Sequence, residues 1–250
     1  MAAGGAVFSE GDAKLAAETI EFSENRAEGS DAAYGDALTA HRTIEMTAAD
    51  SISFSSNAAE GMEAAGGALF GAGDVILRGS TVTFRANTVT GRDGAAGGAI
   101  CAGGSVDIAA SGALTFDGNS VAAAEDGAAC GGAIWANGDI SLKADTITVA
   151  TSTDTFWSNG GSVTISGNLT AAPGATFAAP SGDVTMSDGI LTLAGVKHAD
   201  DVKAGELTGF AGQNVTLDYT ALAVDGADTV GQSYDFAVVA IDAQGNSLYR

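Results

Sequence analysis

Gly97–Asn119 reads GGAICAGGSVDIAASGALTFDGN, and the remainder of the chain is organised around copies of it. It opens on a Gly-Gly-Ala-aliphatic step and closes on Phe-x-x-Asn. The opening recurs at Gly4-Gly5-Ala6-Val7, Gly35-Asp36-Ala37-Leu38, Gly66-Gly67-Ala68-Leu69 and Gly131-Gly132-Ala133-Ile134, with first-glycine spacings of 31, 31, 31 and 34. The closing step recurs at Phe22–Asn25, Phe54–Asn57 and Phe84–Asn87. A fixed period of this length marks a stacked-repeat architecture, in which each unit buries its apolar face only against its neighbours.

Within a repeat the apolar residues alternate with Thr, Ser, Asp and Glu. One pair lies nine and eleven places after the first glycine: Ile44 and Met46, Val75 and Leu77, Val106 and Ile108, Ile140 and Leu142. A second pair precedes the asparagine: Ile20 and Phe22, Ile52 and Phe54, Val82 and Phe84, Leu114 and Phe116. Period two is the signature of a half-buried strand and not of a helix. With the Gly-Gly-Ala step as a further strand, each repeat holds three short strands. The fold expected is all-β, a right-handed parallel β-helix (solenoid) with three short strands per coil. Phe22, Phe54, Phe84 and Phe116 then form an interior stack. Asn25, Asn57, Asn87 and Asn119 form a ladder at a turn whose left-handed backbone asparagine tolerates. The glycine pairs mark a corner where backbone meets backbone.

A polar segment follows each asparagine and reads as a loop. These loops carry Glu28, Asp31, Glu60, Glu63, Asp93, Glu125 and Asp126. Leaving one corner of every coil, they are expected to form an acidic interaction ridge, and their removal is expected to leave the coils intact. From Thr153 the period falls to 21–23 residues, shorter by the length of that loop. Three regions result: long-loop coils over 1–152, short-loop coils over 153–195, and irregular coils or a β cap at the C-terminal end over 196–250.

A net charge of −21 with ten Lys and Arg residues cannot supply the basic surface that a phosphate backbone needs. It equally disfavours an anionic bilayer. No run approaches the ~20 apolar residues of a spanning helix, so no direct membrane insertion is expected of this stretch. There is no basic segment leading into an apolar one at the start, and Gly4 opens a repeat almost at once. The chain therefore reads as a piece of a longer protein. Cys101 and Cys130 fall about five positions apart along the strand direction, roughly 16 Å, so a direct disulfide is not expected unless the segment before Gly131 folds back.

Catalytic and metal chemistry find little footing. His41 and His198 stand alone, with no Ser or Cys nucleophile pattern beside them. Arg78, Arg85 and Arg92 share a repeat, but no carboxylate pair recurs near them on one strand face. The glycine-rich calcium nonapeptide and the EF-hand loop are both absent. No cofactor is expected and the chain is not read as an enzyme. The alternative is a carbohydrate-active β-helix lyase or hydrolase with its site within 153–212.

On its interleaved GGA-aliphatic and FxxN steps, over about residues 4–152, the sequence resembles the chlamydial polymorphic membrane protein family, as a distant, non-chlamydial member. Two positions depart from the pattern: Asp36 replaces a glycine, and Val149-Ala150-Thr151-Ser152 stands where a fifth FxxN falls. The resemblance implies an autotransporter passenger, a β-helix displayed on the bacterial outer membrane and cell surface or secreted. It also implies a C-terminal barrel and an adhesin role. The partner expected is a host or neighbouring-cell surface protein or glycan, not nucleic acid.

Overall fold

The computed structural model describes residues 1–124, 127–193, 207–218, 221–224 and 238–241. Among the described residues there is no helix, and every strand pairing is parallel. Successive repeats stack in register, so that Ile44, Val75, Val106, Ile140, Val163 and Val184 are consecutive neighbours across one sheet. The chain is a parallel β-solenoid of three sheets.

The first sheet is built from the Gly-Gly-Ala steps, at Val7–Ser9, Leu38–Ala40, Leu69–Gly71, Ile100–Ala102 and Ile134–Ala136, and continues without that motif at Thr155–Ser158 and Thr176–Ala179. The second contains both alternating pairs. They do not form two strands, as the spacing suggests, but one long strand per coil: Ala13–Ser23, Ile44–Ser55, Val75–Arg85, Val106–Asp117, Ile140–Val149. The register slips once between adjacent long strands, between Gly79 and Thr81 for example. The interval between the pairs explains the slip. Ile44 to Phe54 spans ten residues and Val75 to Phe84 nine, so a bulge must absorb the odd residue to keep both pairs facing inward.

The third sheet corrects the loop reading. Ala58–Ala65 and Thr88–Ala96 are strands, flanked by Ala32–Tyr34 with Arg26–Glu28 on one side and by Ser120–Ala123 with Ala128–Cys130 on the other. Their inward positions hold Ala27, Ala33, Ala59, Ala64, Val89 and Ala95, a second and separate hydrophobic cluster. Alanine and glycine are poor predictors of a strand, which is why composition alone suggests a loop. What makes the strand form is the pairing: the neighbouring coil presents an edge, and the segment satisfies it.

The main core lies between the first two sheets. Ile44, Met46, Ile52, Phe54, Leu69, Ile100 and Ile134 are inaccessible to solvent. Phe22, Phe54, Phe84 and Phe116 stack as expected, with centroid separations of 5.5, 5.1 and 5.3 Å and ring planes within 7° of parallel. Separations of this size with parallel planes are those of offset stacking. The column then changes sheet. Val149 replaces the next phenylalanine, and Phe156 of the first sheet meets Phe116 edge-on at 4.9 Å. From there Phe156, Phe177 and Phe210 continue as a second stack.

Beyond Leu193 the described strands Leu207–Gly212, Val215–Asp218, Ala221–Val224 and Val238–Ile241 add in parallel to the first and second sheets. His198 and the remainder of the proposed cap region lie outside the described residues.

The third sheet ends at Cys130, while the other two run on. This yields a prediction. Shortening Thr88–Ala96 to the length of Ala150–Asp154 strips a pairing partner from both flanking strands, each lost backbone bond being worth about 1 kcal/mol. Shortening Ser120–Cys130 strips a partner from one side only. Thermal denaturation should therefore show the first variant several kcal/mol less stable and the second closer to wild type. Equal melting of both would count against the third sheet as a cooperative unit.

Candidate functional site

The asparagine column is an inward-facing amide ladder between the second and third sheets. Asn25 Nδ2 donates to Asn57 Oδ1 at 2.7 Å, Asn57 Nδ2 to Asn87 Oδ1 at 2.8 Å, and Asn87 Nδ2 to Asn119 Oδ1 at 2.9 Å. Each acceptor oxygen also takes the backbone N–H of the preceding asparagine in the column, at 3.1–3.2 Å. The second amide hydrogen goes to the carbonyl of Phe22, Phe54 or Phe84, one repeat behind. Asn57, Asn87 and Asn119 are wholly buried, and this bonding is what makes burial of an amide tolerable. The left-handed residue is not the asparagine but the one before it: Glu24, Ser56, Ala86 and Gly118 have φ of 57°, 55°, 50° and 72°. The turn is thus made one position early, and the asparagine is freed to point inward.

Asp154 terminates the ladder. Its carboxylate accepts from Asn119 N–H at 3.0 Å, Asn119 Nδ2 at 2.8 Å, Gly118 N–H at 3.0 Å and Thr151 Oγ1 at 2.8 Å, at zero exposure. Sequence reasoning aligned Val149–Ser152 with the fifth FxxN step and missed Asp154. The available signal was its place 35 residues after Asn119, close to the ladder's own spacing of 30 to 32.

At the opposite joint the first glycine of each opening has positive φ, 64° at Gly97. The second is held by contact. A Cβ on Gly67 would lie 2.1 Å from the carbonyl oxygen of Gly98 and 2.7 Å from that of Thr88; one on Gly98 would meet Gly132 and Ser120 at 1.9 and 2.6 Å. Each coil is therefore pinched where the Gly-Gly step touches the start of its own third-sheet strand. The pinch closes the main core and sets the third sheet apart as a thin lobe.

Asp36 occupies the second-glycine position in one coil and is fully buried. Its Oδ1 accepts the Ala27 N–H at 2.8 Å, while Oδ2 has no protein partner. Burial pushes its pKa up to about 8, with the Ala27 bond and Arg26 opposing.

The acidic positions do not form one uniform ridge. Glu28 and Glu60 are register neighbours on the outer face of the third sheet. Arg26 lies between them, with its guanidinium paired to both carboxylates. These side chains, with Gly29, Met62 and Arg92, line a shallow groove of about 610 Å³. Asp93 pairs with Arg92 at 3.1 Å. Glu63, further along the same strand, is also exposed and lines a second groove with Tyr34 and Trp135. The carbonyl of Asp31 accepts the Glu63 N–H at 2.9 Å. Glu125 and Asp126 lie outside the described residues. Arg26, missed in the sequence because it is an isolated cation among acids, and Arg92, weighed there only beside Arg78 and Arg85 as a possible catalytic cation, turn the expected acidic strip into a mixed-charge one. Cys101 and Cys130 are free thiols, in different sheets.

One stretch carries both motifs with this geometry around them. Residues 113–137 match the model of the Chlamydia polymorphic membrane protein repeat. That span holds the last FxxN asparagine of the ladder and the last Gly-Gly-Ala pinch, so the repeat is one ladder rung and one coil closure. No curated protein and no solved structure matches the chain.

Two outcomes follow from the buried carboxylates. Asp154→Ala strands two buried N–H donors of Asn119, at about 1–3 kcal/mol each when unsatisfied, together with the half-buried Gly118 N–H. Asp154→Asn keeps one acceptor oxygen. Melting temperatures should fall in the order wild type, Asp154→Asn, Asp154→Ala; an Ala variant that melts with wild type would remove the ladder's terminus from the account. Asp36 is protonated in the folded state and ionised in the unfolded state between about pH 4 and its raised pKa of about 8. The folded protein then binds more protons, so Asp36 makes stability decline as pH rises through that window, by up to about 1.4 kcal/mol per unit. Urea denaturation of Asp36→Asn across the window should show a flatter profile and a more stable protein at pH 8. An unchanged slope would assign the pH dependence to other groups.

Proposed function

We propose that this chain is a surface-displayed passenger segment of a bacterial outer-membrane or secreted protein, and that it acts as a non-enzymatic adhesin. The repeat match supports the surface setting. The observation that carries the adhesive reading is the third sheet itself. Coils after Ala150 close without it, and it buries its own small alanine cluster and not the main core. It is therefore structure beyond what coil closure needs, and its outer face presents Glu28, Glu60 and Asp93 with Arg26 and Arg92. An added rigid face on a solenoid is where a partner would be met. The partner class is a host or neighbouring-cell surface protein or glycan. Among the described residues no helix is long and apolar enough to cross a membrane.

The FxxN and GGA side chains are interior, so on this reading they act on binding only through folding. Binding of the purified chain to cells or extracellular matrix should drop several-fold in a Glu28→Ala, Glu60→Ala, Asp93→Ala variant whose melting curve is unchanged. The difference should shrink towards 1 M salt, where the Debye length is about 3 Å. Asn87→Ala should lose binding only together with its fold. Full binding by the triple variant, beside a folded but non-binding Asn87→Ala, would move the contact onto the motif and overturn the division.

A further inference from the structure

The third sheet stops in mid-solenoid. Its last strand, Ser120–Ala123 with Ala128–Cys130, pairs with Thr88–Ala96 on one side. Among the described residues no strand pairs with it on the other, although the first and second sheets run on past it. The side chains there have lost their cover. In the column Ala33, Ala64, Ala95, Ala129 the first three are 0–4% exposed, whereas Ala129 is exposed outright. Val121 is only partly buried, where Ala59 and Val89 of its own column are closed off.

The backbone is open on the same side. The Ser120 N–H donates back to the Asn87 carbonyl, and the Cys130 carbonyl accepts the Gly97 N–H. Successive residues of a strand direct their N–H and C=O groups to opposite sides. Val121, Ala123 and Ala129 therefore direct theirs to the side without a strand. Edge strands are commonly blunted by lysine, proline or a covering segment, yet the two described halves of this one, SVAA and AAC, contain no Lys, Arg or Pro.

The surroundings limit what can pair there. Ile140–Val149 and Val163–Ala171 continue the second sheet directly beyond the edge, so a second copy stacked in line is barred. A lone extended segment needs only the width of one strand, about 4.8 Å. Its inward positions would continue the columns of Val121 and Ala129, where the thin lobe holds only alanine and valine. That calls for small apolar residues at alternate positions. At the others a net charge of −21 favours Lys or Arg over an acid.

We propose that this edge is a β-augmentation site for an extended segment of a partner protein, basic and with small apolar residues at alternate positions. The segment adds to the third sheet as one further strand, through backbone bonds to Val121, Ala123 and Ala129. The site uses the edge of the sheet and not its charged outer face. It therefore does not rest on the adhesive reading above, and the two can fail separately.

The probe is a fluorescent peptide with the sequence of Thr88–Ala96, the strand that already pairs with this one from the other side. Titrated against the intact chain and followed by anisotropy, it should bind saturably with a Kd of about 100 μM. The same peptide carrying Asp93→Lys should bind several-fold tighter at low salt. N-methylation of one alternate set of peptide residues should abolish binding and of the other set should leave it, since only one set of N–H groups faces the edge. On the protein, hydrogen exchange should find the Val121, Ala123 and Ala129 amides fast in the free chain and protected with peptide. Ala129→Pro removes a donor that the existing pairing does not use and should weaken binding about tenfold; the exchange measurement answers the same question if that variant does not fold. No saturable binding, an equal effect of both methylated sets, or no new protection at the three amides would overturn the proposal. Protection of those amides already in the free chain would also overturn it, in favour of a second copy if sedimentation shows a dimer and of the chain's own segment if it shows a monomer.

Discussion

In-register parallel stacking is the constraint on which everything else in this molecule depends. Each coil hydrogen-bonds to the coils on either side, and equivalent residues repeat at the ~4.8 Å strand spacing. A residue type chosen once is therefore chosen for a column. Apolar columns gain, because stacked phenylalanines bury one another. Amide columns gain, because asparagine is both donor and acceptor and can bond to a copy of itself. Carboxylate columns lose, because like charges a single coil apart repel.

The chain resolves that last conflict by alternation. At the turn entering the long strands the column reads Asp12, Thr43, Asp74, Ser105, Asp139, Ser162, Asp183, Asn214. Asp12, Asp74, Asp139 and Asp183 each accept the backbone N–H of the next residue in the column, at 2.7–3.2 Å. Acids occupy alternate coils only, so a carboxylate caps a turn without facing another one coil away. On the third sheet the same end is met differently: Glu28 and Glu60 are adjacent, and Arg26 sits between them. Such exposed ion pairs add little stability, but they let a strongly acidic chain tolerate neighbouring acids. Where the asparagine ladder ends, Asp154 carries a buried carboxylate without a cation, held by four donors.

The pinch at the glycine pairs divides labour between the sheets. Because Gly67 touches Thr88 and Gly98 touches Ser120 within their own coils, the main core is sealed by the first two sheets. The third sheet becomes an appendage with a core of alanines. Small residues suit it, since a thin lobe has little room between its strand and the sealed coil. The same thinness leaves its outer face free of packing duties. Asp36 is the exception that shows the constraint: a side chain at a pinch position is forced inward, one of its oxygens goes without a protein partner, and its proton is retained to a higher pH.

Periodicity made the repeat, its parallel stacking, the phenylalanine stack and the asparagine column legible from sequence, because a column in a solenoid is written directly as a spacing. Side-chain identity alone was enough there: a phenylalanine every 30 to 32 residues has few other places to go. Three things were decided only by the fold. The two alternating pairs fused into one bulged strand, since whether a chain turns or bends between them depends on the neighbouring coil's register. The alanine-rich segments became a sheet, because an edge from the adjacent coil, and not their own propensity, drives them to pair. The positions of Asp154, Arg26 and the Tyr34–Trp135 groove depended on which columns of different sheets meet at a corner. A sequence lists columns one at a time, and only the closed coil brings two of them face to face.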